Sequence, residues 1–420
     1  MIKAGSLFYA IVISIIIAIV SSSFILFAYL SRIEFDNLQL QQRLNLNAES
    51  GLSLLMSQQS LVEPNQSKVI DLYSSGEDSV FLTRKLWGAF EVLISKAVFH
   101  QFESERIAQV GCPRDSSDLY CLYLVDEGKP LALCGNTKIS GTAFLPKSGV
   151  ERAYIEGQNF TGTRLINGEI KKSKSELPQV NPDLLEHVQQ LMREKRSTDT
   201  DSVIELQRQL SGDSIHNSFK NNTLVLKHHG VLHIDNGTYS GNVIIISDTV
   251  IYVGSGSLLK DVILAAPKIF FAENFKGQLQ AFASDSIIVG DHVSFNYPSV
   301  LGIAAEKSAS SCAIVLHEQD TVIGNIFAHQ VIIDAYKRAG VRIGKNSVVI
   351  GQVYSSGYAE IKGSIYGSLM CSKFLLQTPS SVYENHLLNA EFNQHALPGY
   401  FTGITLVKEL PSKRIVKWLN

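Results

Sequence analysis

Residues 251–295 read IYVGSGSLLKDVILAAPKIFFAENFKGQLQAFASDSIIVGDHVSF, and this stretch decides the fold. Short apolar pieces, Ile251-Tyr252-Val253, Ile269-Phe270-Phe271, Ile287-Ile288-Val289 and Val293-Ser294-Phe295, are separated by Gly, Asn, Asp and Ser. Each piece alternates with period two, as a strand with one buried face does. The turns between them are too short for helices. Ile251, Ile269 and Ile287 recur at equivalent places, and Val331, Val348 and Ile365 do so again. A soft repeat of about 20 residues is the period of a β-solenoid coil. Residues 230–375 are therefore expected to form a parallel β-helix.

The 420 residues, 45% hydrophobic and 18% charged, suffice for two or three domains with real cores. A formal net charge of -2 gives no global basic field, so no nucleic-acid partner is expected. Five cysteines are too few for a disulfide scaffold of this size.

Ser6 to Leu30, SLFYAIVISIIIAIVSSSFILFAYL, carries no charge. Twenty-five helical residues at about 1.5 Å rise exceed the roughly 30 Å hydrocarbon core, so a tilted span fits. The run is longer than a signal-peptide core and no A-x-A cleavage site follows it. The expectation is an uncleaved single-pass anchor in a bacterial inner membrane, with the N-terminus and Lys3 cytoplasmic and the bulk of the chain extracytoplasmic. A cleaved signal peptide and a secreted product is the other reading. From Ser31 to about Gln59 no proline interrupts the chain, so the span continues as a stalk helix that Pro64 ends.

The leader ending in Gly5, the unbroken apolar helix, and the amphipathic continuation through Arg43-Leu44 and Asn47-Ala48-Glu49-Ser50-Gly51 resemble the N-terminus of type IV pilins and pseudopilins, most of all the minor pilins. The resemblance covers about residues 1–60. It implies processing between Gly5 and Ser6 by a prepilin peptidase, and pilin-like or envelope assembly proteins as partners. Major pilins carry Glu at the fifth mature position; Ala10 stands there in this chain.

Beyond the stalk, residues 64–135 hold strand-like runs at Lys68–Tyr73, Val80–Leu82, Leu119–Val125 and Leu131–Cys134; Leu86–Phe99 fits strand or helix. They are expected to form a small α+β module. Cys112, Cys121 and Cys134 lie here. In an oxidising envelope a Cys112–Cys121 bridge would close a short hairpin and contribute roughly 2–3 kcal/mol; unpaired buried thiols are the alternative. The solenoid rhythm is expected over 136–375, with first rungs from Thr137 and a helical insertion at about 178–212. That insertion comprises Pro182–Arg196, the flexible Lys195–Asp201 run and a second helical piece at Asp201–Leu210. Residues 376–420 are expected to cap the end. The fold class is thus mainly β: a β-solenoid (parallel β-helix) with a long N-terminal transmembrane and stalk helix (1–63) and a small mixed module.

No catalytic cluster emerges. Asp235, Asp248, Asp261, Asp285, Asp291, Asp320 and Asp334 sit at turns, where Asp is favoured for local reasons. His228, His229 and His233 form the densest histidine group, with His229 and His233 on one face by alternation, but no acid or Cys spacing supports a metal. No Gly-rich phosphate loop or nucleophile elbow is present. Cofactor, metal and catalytic residues are expected to be absent. Val348–Gly367, VVIGQVYSSGYAEIKGSIYG, resembles the rungs of bactofilins, which implies a structural or assembly role. The expected function is a non-enzymatic envelope component that presents a β-helical ectodomain for assembly or adhesion, with glycans as a further partner class. The rival is a membrane-tethered carbohydrate-active β-helix, which requires two carboxylates facing one groove.

Overall fold

The computed structural model describes residues 4–72, 79–113, 120–193, 201–305, 312–330, 339–407 and 413–419. The chain is mainly β with a long N-terminal apolar helix, and it divides into two compact units: 1–85 with 93–106, and 86–92 with 107–420. These boundaries differ from a stalk ending at 63 and a module ending at 135. Val331, Lys3 and most of the Lys195–Asp201 run lie outside the described residues.

In the first unit, α1 (Ala4–Ser57) is one uninterrupted helix. Its N-terminal half is exposed over residues 5–30 except at Val12, which is half-buried. In its C-terminal half Leu44, Ala48, Leu52 and Leu55 recur at spacings of four, four and three and are all buried. The strands that follow are β1 (Gln66–Ile70), β2 (Ser79–Trp87), β3 (Phe90–Phe99) and β4 (Phe102–Pro113), neighbours in that order, with β1 antiparallel to β2; their residues 86–87, 90–92 and 107–113 belong to the second unit. Leu86–Phe99, open to either reading from sequence, is the end of β2, a tight turn and β3.

In the second unit, strands run parallel in three ladders. The first aligns Leu232, Ile251, Ile269, Ile287, Ile314, Val341 and Ala359. The expected equivalence of Ile251, Ile269 and Ile287 is what the register shows. In the second ladder Phe295 aligns with Val322, Val349 and Ile365. Val349, not Val348, therefore shares the Ile365 position; Val348 pairs with Ser364 one residue away. The third runs Leu226, Ile245, Leu264, Ala281, Leu301, Ile326, Val353 and Leu369. These inward columns merge in one continuous apolar core.

Strict alternation fails in the third ladder. Val262-Ile263-Leu264-Ala265-Ala266 is buried on both faces, as are Val243–Ile246 and Leu279–Ala283. A parallel sheet covered on its outer side has continuous apolar strands rather than alternating ones. The cover includes α2 (Pro182–Met192), which lies against the strands at 258–271, 276–289 and 294–305 through Leu184, Val188 and Leu191. The helix begins where the sequence says it should: Asn181 accepts from the Asp183 amide at 3.0 Å and Pro182 occupies the first turn. The second helical piece expected at Asp201–Leu210 is not a helix. Ser202–Glu205 is a strand paired with Leu224–Lys227, and Leu210 pairs with Ile234. Val203 and Ile204 are β-branched neighbours that suit the pleat better than the helix.

Turns between the first and second ladders place Asn236, Asn274, His292, Gln319, Asn346 and Asn389 at positive φ. Asn is favoured there because its short amide tolerates the left-handed region. At the next corner Gly324, Gly351 and Gly367 stack in register with φ between 145° and 157°. A Cβ on Gly351 would collide with the Gly324 carbonyl oxygen, and one on Gly367 with that of Gly351. Only glycine fits such a column.

Chain order is the largest departure from expectation. The segment expected to supply the first rungs pairs with the C-terminal end of the ladders. Leu122 follows Leu369, Ala143 follows Leu122 and Ile170 follows Ala143 in the third ladder, while Ile139 pairs with Phe392 in the second. Residues expected only to cap, His386–Leu388 and Glu391–Asn393, are parallel strands within this arrangement. The basic-aromatic tail, Arg414–Leu419, is a strand antiparallel to residues 107–111.

Candidate functional site

Two regions carry features that a fold alone does not require: the N-terminal half of α1 and a cleft on the outer face of the third ladder.

Gly5 and Ser6 lie in the exposed first turns of α1, and a Cβ at Gly5 would meet nothing within 4 Å. Leu7, Phe8, Tyr9, Ile13, Ile17 and Phe24 are each more than half exposed, so apolar surface surrounds this half of the helix. Such a surface belongs in lipid or against other helices. The helix is long and apolar enough to cross a membrane. Its hydroxyls are satisfied from within: Ser14 donates to the Ala10 carbonyl at 2.8 Å and Ser23 to Ile19 at 2.9 Å. Ala10 is thus an ordinary helical position with a methyl where an acid would project.

The C-terminal half meets the strands of its unit closely. Gly51 lies where a Cβ would run into Ser95 and come within 2.9 Å of Leu82 and Val80. Ser104 donates to Asn45 at 2.6 Å, Arg106 reaches Glu49 at 3.4 Å, and the Arg43 guanidinium sits 5.8 Å from the Phe99 ring centre.

The bridge expected between Cys112 and Cys121 is not formed. Both are buried thiols outside any disulfide, as are Cys134, Cys312 and Cys371. Cys121 donates to the Thr142 carbonyl at 3.2 Å, and Cys112 lies on β4 opposite Gly403. Burial pushes Cys112 up to about 11 and Cys121 up to about 12. The histidine group is dispersed among separate partners. His228 meets the Leu206 carbonyl at 3.1 Å, His229 pairs with Asp248 at 3.1 Å, and His233 stacks on Tyr252 with ring centres 5.0 Å apart. The Gly230 amide, then His229, hold Asp248 below the usual carboxylate range. Tyr252 stacks in turn on Phe270 at 4.9 Å, so the faces of these rings are spent on one another. Asp261 accepts from Lys417 at 2.7 Å, and Asp285 lies 3.2 Å from Lys268. Asp235 ends the strand Val231–Asp235, paired with Ser211, and Asp291 stays at a turn, accepting from the Glu318 amide at 2.8 Å. Asp334 lies outside the described residues.

The cleft has a volume of about 920 Å³. Its floor is the outward face of three successive parallel strands. Ala328 pairs with Ser355, and Ser355 with Cys371; one residue further along each strand stand His329, Ser356 and Ser372. Tyr354 lies beside them, its ring 6.3 Å from that of His329. Tyr354 and Ser356 are 3% and 5% exposed. Ser356 Oγ accepts from the Gln330 amide at 3.1 Å, and Ser372 donates to the Ser356 carbonyl at 2.7 Å. Among the described residues His329 Nδ1 has no hydrogen-bond partner, and burial holds its ring below the ordinary imidazole range. Burial also raises the Tyr354 phenol, with Tyr120 adding to the effect. Leu177, Pro178, Val180 and Leu185 make an apolar wall, and Glu127, Glu176 and Glu186 stand on the rim.

No protein-family model and no curated protein matches the chain. Among solved structures, the competence-associated pilin ComZ from Thermus thermophilus aligns over 84% of this chain and 86% of that one, at 9% identity. Its TM-score is 0.20. A likeness at that level transfers neither fold nor function.

Sequence reasoning missed the cleft entirely. Its floor residues come from strands whose register is invisible locally, and its wall comes from residues 177–180 and the start of the helix Pro182–Met192 that follows them. The one available signal was polarity at the strand ends, His329 and Ser356, where an outward-facing pair on a covered sheet calls for an explanation.

Proposed function

We propose that this chain is a non-enzymatic, single-pass protein of the bacterial cell envelope, a minor-pilin-like or scaffold component. Its N-terminus is cytoplasmic and its β-rich bulk is extracytoplasmic, presented for assembly or adhesion. The observation that carries the reading is the two-faced α1. One helix is largely exposed, uncharged and mostly apolar from Leu7 to Leu30, then packs Leu44, Ala48, Leu52 and Leu55 into a helix-and-strand unit. A pilin-like subunit needs these two halves, one for lipid or a helical filament core and one for its own head. Gly5 and Ser6 then mark the processing junction.

The parallel ladders are coils of a β-solenoid, in which residues 120–172 supply the coils that follow residue 393. A solenoid offers a long, regular flank and needs no catalytic group to serve as a scaffold. Partners in this reading are pilin-like or envelope assembly proteins, with glycans as a further class.

Protease treatment of spheroplasts tests the topology. The account expects residues beyond the span to be digested from outside, with the protein retained in the membrane after alkaline extraction. Protection of the β-rich part, or its release by alkali, contradicts it.

A further inference from the structure

We propose that the cleft floored by His329, Tyr354 and Ser356 binds an alkylammonium group, an aliphatic stem ending in a protonated amine. Charge on the lining is one-sided. Glu127, Glu176 and Glu186 line the cleft and are exposed, and no Lys or Arg is among its described lining residues. Lys373, next to the lining residue Ser372, pairs with Glu127 at 2.7 Å. The remaining negative field repels phosphates, sulfates and carboxylates and favours a cation. Below the rim, Leu177, Val180 and Leu185 offer aliphatic surface for a hydrocarbon stem. Burial favours the neutral form of the His329 imidazole, and its Nδ1 has no hydrogen-bond partner among the described residues, so it can accept from an ammonium donor. Acidic, aliphatic and imidazole groups thus line the same cleft, which is what an amine-ended chain requires if a second cationic end or a backbone remains in solvent.

Such a group can come from a free diamine or from a lysine side chain of a peptide segment. The inference concerns the second unit alone and stands whether or not the N-terminus is processed.

The test is titration of the full chain in nonionic detergent with 1,5-diaminopentane and with the peptide Ac-Leu-Lys-Ala-NH₂, followed by ligand-observed NMR. Saturable binding of the diamine, tighter than that of 1,2-diaminoethane, is expected. The paired change Glu176→Gln with Glu186→Gln weakens it roughly five- to tenfold, the range for losing two exposed ion pairs. The pair Glu151→Gln with Glu156→Gln, which does not line the cleft, leaves it unchanged. Tighter binding of the peptide than of the diamine assigns the source to a partner protein; the reverse assigns it to a free amine. Equal binding of 1,5-pentanediol or glutarate overturns the proposal, as does insensitivity to the Glu176/Glu186 change or no diamine binding at millimolar concentration.

Discussion

Ile139 pairs in parallel with Phe392, and both side chains are buried in the common core. The chain therefore returns, after passing through every ladder, to strands it laid down before them. Phe392 also meets Phe374 edge-on at 6.2 Å. Phe392→Ala should cost about 3–5 kcal/mol, the range for emptying a fully buried aromatic site. Chemical denaturation monitored by circular dichroism measures this; a loss below about 1 kcal/mol would mean that the 138–140 and 391–393 strands are not held together.

Gly351 is the middle member of the glycine column. Gly351→Ala forces a Cβ against the Gly324 carbonyl at a φ of 149°, where the backbone penalty alone is about 1–3 kcal/mol. A clear drop in melting temperature is expected, larger than for alanine at Gly128, where a Cβ meets nothing within 4 Å. Equal effects at the two positions would contradict the stacked corner.

Asp320 is fully buried at a turn, its Oδ1 accepting from the Val293 amide at 2.8 Å. Burial pushes its carboxyl up to about 7, with Asp291 adding to the rise and the Val293 and His317 amides opposing it. The folded state then holds a proton between about pH 4 and 7 that the unfolded chain releases, so this group makes stability fall as pH rises across that window. Asp320→Asn should gain stability relative to the parent as pH rises from 4 to 8. A difference independent of pH would show that Asp320 ionises normally.

The five buried thiols should resist iodoacetamide at pH 8 in the native protein and all react once it is denatured, because buried thiols yield little thiolate. Intact mass before and after alkylation reads this directly. A mass two hydrogens short, mapped to Cys112 and Cys121, would restore the bridge expected from sequence.

Local sequence displayed what local physics controls. The uncharged run from Ser6 to Leu30, the Asn181-Pro182 helix start, and the shared position of Ile251, Ile269 and Ile287 all depend on near neighbours. What failed depends on distant ones. Val262–Ala266 loses its alternation because another part of the chain covers its outer face. Leu122 joins Leu369 because of a closure that no spacing announces. Ser202–Glu205 became a strand because Leu224–Lys227 lies beside it. The cleft likewise rests on distant contacts, which is why the polarity of His329 and Ser356 was its one local signal.

The central claim is that α1 is a pilin-like N-terminus, and the N-terminal mass of the protein purified from native membranes tests it most directly. The account predicts a mature chain beginning at Ser6. An intact Met1 or Ile2 contradicts the pilin-like reading and leaves a plain anchor, and cleavage beyond Leu30 contradicts the anchor as well.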